Sequence, residues 1–175
     1  MILRMAELLG QVAKETFVVG GVEKHVRLGV NCISDRWPGQ GPLGGIITAL
    51  LHSQSHAADC AWNLIVSCDM PFLTVDWLKF LAERAARSSA QVLLPHSASG
   101  PEPLCACYRT DAAERLRSVF EPGVRKITEA LKQLETEVLD ERDWKRFDTS
   151  GRLFWNMNTL ADCEEARRIL GASER

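Results

Sequence analysis

The chain has 175 residues, 46% hydrophobic and 25% charged, and 21 Lys and Arg against 23 Asp and Glu give a net charge of −2 at pH 7. That length fits one domain with a self-sufficient core, the composition is that of a globular protein and not of a disordered one, and the near-balanced charge gives no electrostatic footprint for nucleic acid or an anionic membrane. No apolar run reaches the roughly 18 residues needed to cross a bilayer.

The opening segment, Met1 to Gly10, carries Arg4 and Glu7 inside its apolar pattern. It reads as an amphipathic helix over Leu3–Leu9 and not as a signal peptide, and a cytoplasmic location is expected. No Ser, Thr, Asp or Asn stands ahead of it as a cap. Thr16 to Gly20 is a short apolar run closed by Gly20-Gly21, the pattern of a buried strand. Val30 to Ser34 is a weaker strand, Asp35 to Gly41 a loop, and Gly44 to Leu51 helical in spacing. The strongest strand is Trp62 to Cys68, followed at once by Asp69, Met70 and Pro71; Pro71 has no N–H for a ladder, so the strand ends there. Thr74 is placed as the N-cap of a helix to Arg87. Gln91–Pro95 and Pro103–Arg109 read as strands, and Asp111 with Glu114 starts a helix to Phe120. A helix over Val124–Leu134, short strands at Glu137–Leu139 and Leu153–Asn156, and a last helix opened by Thr159 and Asp162 complete the chain.

The six cysteines, Cys32, Cys60, Cys68, Cys105, Cys107 and Cys163, form no C-x-x-C, and the four histidines are not spaced with them as zinc ligands. Reduced thiols are expected, with Cys105 and Cys107 on one face of a strand.

Strands alternating with helices, and apolar on both faces, predict an α/β domain: a doubly wound, mostly parallel sheet with helices on both sides. In such sheets ligands bind beyond the carboxyl ends of the strands. Those positions hold Asp35, Asp69, Asn156 and Asn158, with Gly41, Gly44 and Gly45 around a helix start. Taken singly, Asp35 also reads as a turn residue and Asn158 as the start of the last helix. Asp69 stands apart, because a carboxylate at the end of a buried strand, fixed by a proline two residues on, points rigidly into the crevice. One carboxylate plus substrate phosphates is a usual way to hold Mg²⁺. The loop Gly39–Gly45 leads into a helix N-terminus whose free N–H groups suit an anion or a close-lying base.

Four blocks carry a resemblance: Asp35 to Gly45 (D-R-W-P-G-Q-G-P-L-G-G), Cys68 to Leu73 (C-D-M-P-F-L), Glu102 to Tyr108 (E-P-L-C-A-C-Y) and Phe154 to Thr159 (F-W-N-M-N-T). In this order they resemble the molybdenum cofactor guanylyltransferases of the MobA family, over essentially the whole chain. The resemblance implies a Rossmann-like nucleotidyltransferase that joins GMP from GTP to molybdopterin and releases pyrophosphate. It implies Asp69 as the Mg²⁺-binding and catalytic carboxylate, Asp35 at the guanine nucleotide, and Gly41 and Gly44 in the nucleotide loop. Gly20 stands where some members place an Asn, and Asn156 and Asn158 lie towards the pterin. Arg125 reads either as a phosphate contact or as a solvated helix charge. Molybdoenzymes or cofactor-insertion chaperones are the implied partners. A cytidylyltransferase, a sugar-phosphate nucleotidyltransferase and an inactive pterin-binding module are the alternatives.

The family's opening strand and its Gly-rich loop, L-A-G-G-x-S-x-R-M-G, have no counterpart here, which reads as an N-terminal truncation of roughly 30 residues. The missing strand would be central. Its slot would cost more than the ~3–5 kcal/mol of a large core truncation, against about 5–15 kcal/mol of total stability. The expectation is that Met1 is an internal methionine of a longer protein and that a single nucleotidyltransferase-like domain is represented without its first strand and loop.

Overall fold

The computed structural model describes residues 1–21, 29–57 and 59–173. In chain order the elements are α1 (Ile2–Gly10), β1 (Val18–Gly20), β2 (Cys32–Ser34), α2 (Pro42–His56), β3 (Trp62–Val66), α3 (Val75–Ala85), β4 (Val92–Ser97), β5 (Gly100–Pro101), β6 (Cys105–Arg109), α4 (Ala113–Phe120), α5 (Ile127–Ala130), β7 (Thr136–Leu139), α6 (Glu141–Trp144) and α7 (Leu160–Ser173). Short 3₁₀ turns at 110–112, 131–133 and 145–147 extend α4, α5 and α6.

The sheet order is β3-β6-β4-β5, with β7 added beside β4. The expected α/β layering is present. Alternation along β4 and β6 sends Val92, Leu94, Ala106 and Tyr108 into one core, under α2, α4 and α5. Leu93, Cys105 and Cys107 enter the other, under α1, α3 and α6. Cys105 and Cys107 therefore share a face as expected, and burial pushes both thiols up, Cys105 to about 12. All six cysteines are free.

The strand directions need one correction. β3, β4 and β7 run the same way, but β6 is antiparallel to β3 and to β4, so the sheet is mixed. Residues 98–104 are all that separates β4 from β6, and this is too short for the dozen or more residues of a parallel crossover. The chain turns back instead through the β4–β5 hairpin, His96 facing Pro101.

β1 and β2 form a separate two-stranded parallel sheet, with Val19 opposite Ile33. Among the described residues no ladder joins β1 to β3. The two sheets share α2, which packs against both. Nine of its fifteen residues are buried, as befits a helix covered on several sides. β3 carries the apolar run Leu64-Ile65-Val66, yet it is half-buried along its length, whereas β6 is buried from Cys105 to Tyr108.

Three further expectations change. Leu153–Asn156 is a turn and coil segment, not a strand: the Asp148 carboxylate accepts from Arg152 N (2.8 Å) and Leu153 N (3.0 Å), and Trp155 N donates to Arg152 O. The helix placed over 124–134 is confined to Ile127–Ala130 plus a 3₁₀ turn, because Gly123 (φ +123°) and extended Lys126 precede it. Asp111 pairs with Arg109 at 2.5 Å and does not cap α4. Thr74 does cap α3, accepting from Trp77 N at 3.3 Å, a contact of about 1 kcal/mol. Thr159 and Asp162 make the expected reciprocal bonds before α7.

Candidate active site

Two cradles form at the carboxyl ends of β2 and β3. In the first, Asp35 follows β2 directly, and its Oδ1 accepts from Trp37 N (3.0 Å) and from Thr48 Oγ1 (3.1 Å) of α2. Thr48 Oγ1 also accepts from Arg36 N at 3.1 Å, and the residue is 2% exposed. The carboxylate thereby shapes the turn that starts the glycine-rich loop. Gly41 is the N-cap of α2 at φ +89°, a conformation that excludes most side chains, and Pro42 follows at N1. At Gly44 a Cβ would lie 3.3 Å from Trp37 Cβ and 3.4 Å from Phe120 Cζ, so a larger residue there needs those neighbours to give by a few tenths of an ångström. Gly20 ends β1 opposite Ser34, which puts its backbone beside the residue preceding Asp35.

Arg125, an exposed side chain that lies outside any helix, reaches this cradle. Its Nη2 donates to Gln40 Oε1 at 2.7 Å, its Nη1 donates to Phe120 O at 2.5 Å, and the guanidinium lies 4.0 Å from the Phe120 ring centroid. Trp37 meets the same ring edge-on at 5.2 Å.

The second cradle holds Asp69. Ser67 N continues the β3–β6 ladder by donating to Leu104 O (2.8 Å), and the chain turns at Cys68 and Asp69 before Met70 and Leu73 anchor it in the core. Arg4 Nε of α1 donates to Pro71 O at 3.2 Å. Asp69 O accepts from Met157 N at 2.8 Å, and Phe72 meets Trp155 at 5.6 Å, so the Asn156–Asn158 segment sits against the Asp69 turn. Asn156 Nδ2 donates to Phe154 O at 3.3 Å, while Asn158 is exposed and its N–H donates to Asp162. Donation from the Asn158 N–H, together with the Thr159 side chain and N–H, holds the Asp162 carboxyl below its usual range.

Asp69 Oδ1 is buried and has no hydrogen-bond partner among the described residues. A buried unpaired carboxylate oxygen costs about 1–3 kcal/mol or more, and such atoms concentrate where a ligand completes the site. Mg²⁺ fits this donor: it is a hard cation for an oxygen ligand, and it commonly takes one or two carboxylates and leaves its other positions to phosphates and water. Among the described residues no group of three or more His, Cys, Asp or Glu is placed to hold a metal ion.

The structure thus places Gly20, Asp35, Gly41 and Gly44 together, and Asp69, Asn156 and Asn158 together. α2 begins in the first cradle and packs on β3, which leads into the second. Sequence reasoning missed Arg4 and Thr48 as supports. Thr48 was detectable as a polar residue inside an apolar helix; Arg4 carried no local signal.

A glycine-rich helix start and an orphaned carboxylate beyond the carboxyl ends of strands in an α/β fold are an arrangement that nucleotide-handling enzymes use. Comparison with known proteins makes this specific. Residues 1–137 match the MobA-like NTP transferase domain, and the chain belongs to that family of nucleotidyltransferases. It is 28% identical over 167 residues to a probable molybdenum cofactor guanylyltransferase of Peptoclostridium acidaminophilum, covering 92% of this chain and 73% of the relative. It is 30% identical over 174 residues to a protein of the same description from Chloroflexus aggregans, covering 97% and 80%. Among solved structures, the molybdopterin-guanine dinucleotide biosynthesis protein A of Archaeoglobus fulgidus superposes with a TM-score of 0.76 at 27% identity, over 90% of this chain and 79% of that one. No helix among the described residues is long and apolar enough to cross a membrane.

Proposed function

We propose that this protein transfers GMP from GTP to molybdopterin, giving the guanine dinucleotide form of the cofactor and pyrophosphate. The observation that carries the reading is the buried, unpartnered Asp69 Oδ1 at the carboxyl end of β3, tied by its backbone to the Asn156–Asn158 segment. The names of the relatives supply the substrates.

On this reading the first cradle holds the nucleoside: Asp35 and the α2 N-terminus orient it, and positive-φ Gly41 lets the backbone approach closely. Asp69 holds Mg²⁺, which when bound would neutralise charge on the phosphates during displacement at the α-phosphorus. The molybdopterin phosphate comes in from the side of Asn156 and Asn158, whose segment is braced on the Asp69 turn by Met157 N and Trp155. In-line placement of the two substrates and stabilisation of charge supply the rate, with no covalent enzyme intermediate.

The proposal includes a further strand between β1 and β3, together with the phosphate-binding loop that such a strand would lead into. The edges of β1 and β3 that no strand among the described residues pairs, and the half-buried apolar run Leu64–Val66, support it. The test is pyrophosphate release from GTP with molybdopterin and Mg²⁺, by this chain and by one extended upstream in frame. Release that requires both substrates and Mg²⁺, and rises on extension, is the expected result; no release from either chain would overturn the proposal.

A further inference from the structure

The family relationship does not say what Gln40 does. This residue lies at the tip of the loop in the first cradle, and it is held more tightly than its exposure suggests. It sits between Gly39 (φ +77°) and Gly41 (φ +89°), and its N–H donates to Trp37 O at 3.1 Å, so its backbone is set by a defined turn. Its side chain meets Arg125 Nη2 at 2.7 Å. A guanidinium has only donors, so the amide atom facing it must be the oxygen. Which way the Gln40 amide points is therefore decided by chemistry. The oxygen is consumed, and the NH₂ group, with its two donors, is turned away from Arg125.

Arg125 is itself immobilised. Nη1 donates to Phe120 O at 2.5 Å and to Val124 O at 3.1 Å, and the guanidinium plane rests 4.0 Å from the centroid of Phe120, a ring only 1% exposed. A planar guanidinium with three hydrogen bonds and a ring beneath it keeps one orientation. The Asp35 carboxylate shares the cradle and repels an anion, so this end of the crevice suits an uncharged heterocycle better than a phosphate.

We infer that Arg125 and Gln40 form a base-selecting pair, in which Arg125 acts as a positioning residue that fixes the Gln40 amide as a donor towards the nucleobase. This deepens the proposed function and rests on it. A fixed donor complements the O6 and N7 acceptors of guanine and opposes the exocyclic amino donors of adenine and cytosine. The sharpest comparison is between guanine and 2,6-diaminopurine, which differ at position 6 and at the N1 proton that follows from it, and so reverse acceptor and donor on that edge.

The test uses the full chain with Mg²⁺ and measures binding of GTP and of 2,6-diaminopurine riboside triphosphate by titration calorimetry. The unaltered protein is expected to favour GTP by about tenfold, one hydrogen bond's worth of discrimination. In Gln40→Glu one carboxylate oxygen stays on Arg125 and the other presents an acceptor, so the preference should shift by tenfold or more towards diaminopurine. Arg125→Met keeps an apolar chain over Phe120 and frees the amide to rotate, so the two affinities should converge to within about twofold. Circular dichroism checks that each variant folds, and Gln40→Glu decides the matter if Arg125→Met does not. GTP binding with an unchanged ratio in the folded variants overturns the pair and leaves the guanylyltransferase reading standing. Failure of both the unaltered protein and the chain extended upstream to bind either triphosphate overturns both.

Discussion

The two strand-end carboxylates sit in similar places and are treated in opposite ways. Asp35 Oδ1 is satisfied twice, by Trp37 N and by the Thr48 hydroxyl, and its job is visible in the protein itself: it turns the chain into the glycine-rich loop. Asp69 Oδ1 is buried with nothing to bond, although the turn around it is braced by Arg4, Phe72 and the 153–158 segment. A side chain that completes its own contacts shapes the chain around it, whereas on the proposed function the unsatisfied Asp69 oxygen is the one a metal ion would complete.

Four experiments would break or sharpen this contrast. The largest effect is expected for Asp69→Asn. Nucleotidyl transfer should fall by about 10³-fold, in the range seen when a stabilising electrostatic contact is lost. Melting should stay the same or rise, because an unsatisfied charge is removed. A lower melting temperature would show that Asp69 builds structure after all. Thr48→Val should do the reverse. It strips one bond from Asp35 and leaves Arg36 N without its acceptor, so stability should drop by about 1–3 kcal/mol in denaturant titration, with a smaller loss of nucleotide binding. Gly44→Ala should change stability by less than about 1 kcal/mol, because the helix-propensity gain of alanine offsets the tight approach to Trp37 and Phe120; a larger loss would show that neither neighbour can give.

The smallest effect concerns Glu102, far along the sheet. Burial raises its carboxyl, and the Ser97 hydroxyl, which donates to it, only partly offsets this. A raised folded value means that the native state binds the proton more tightly than the unfolded chain does. This contribution is therefore full below the unfolded value near 4.5 and lost as pH rises through the folded value. Glu102→Gln should flatten that part of the stability curve from about pH 4.5 upward, with no change in the behaviour of Asp69. A curve identical to that of the unaltered protein would place the titration elsewhere.

Asp69 was legible because strand, carboxylate and Pro71 lie within a few residues, and the same holds for Thr74 and for Thr159 with Asp162. The 153–156 segment was misread because its conformation depends on Asp148, whose carboxylate takes up the N–H groups a strand would need. The antiparallel β6 followed from a connection length, available in the sequence but masked by its apolar pattern. The role of Arg125 could not be read at all, since its partner Gln40 is 85 positions away.

The gap between the two sheets has a practical corollary. β3 presents a row of backbone donors and acceptors flanked by Leu64, Ile65 and Val66, with no neighbour among the described residues on that side. Such a margin recruits whatever extended polypeptide reaches it, including another molecule of the same kind. Solutions of this chain should accordingly turn cloudy as concentration rises, and shielding that margin should keep them clear.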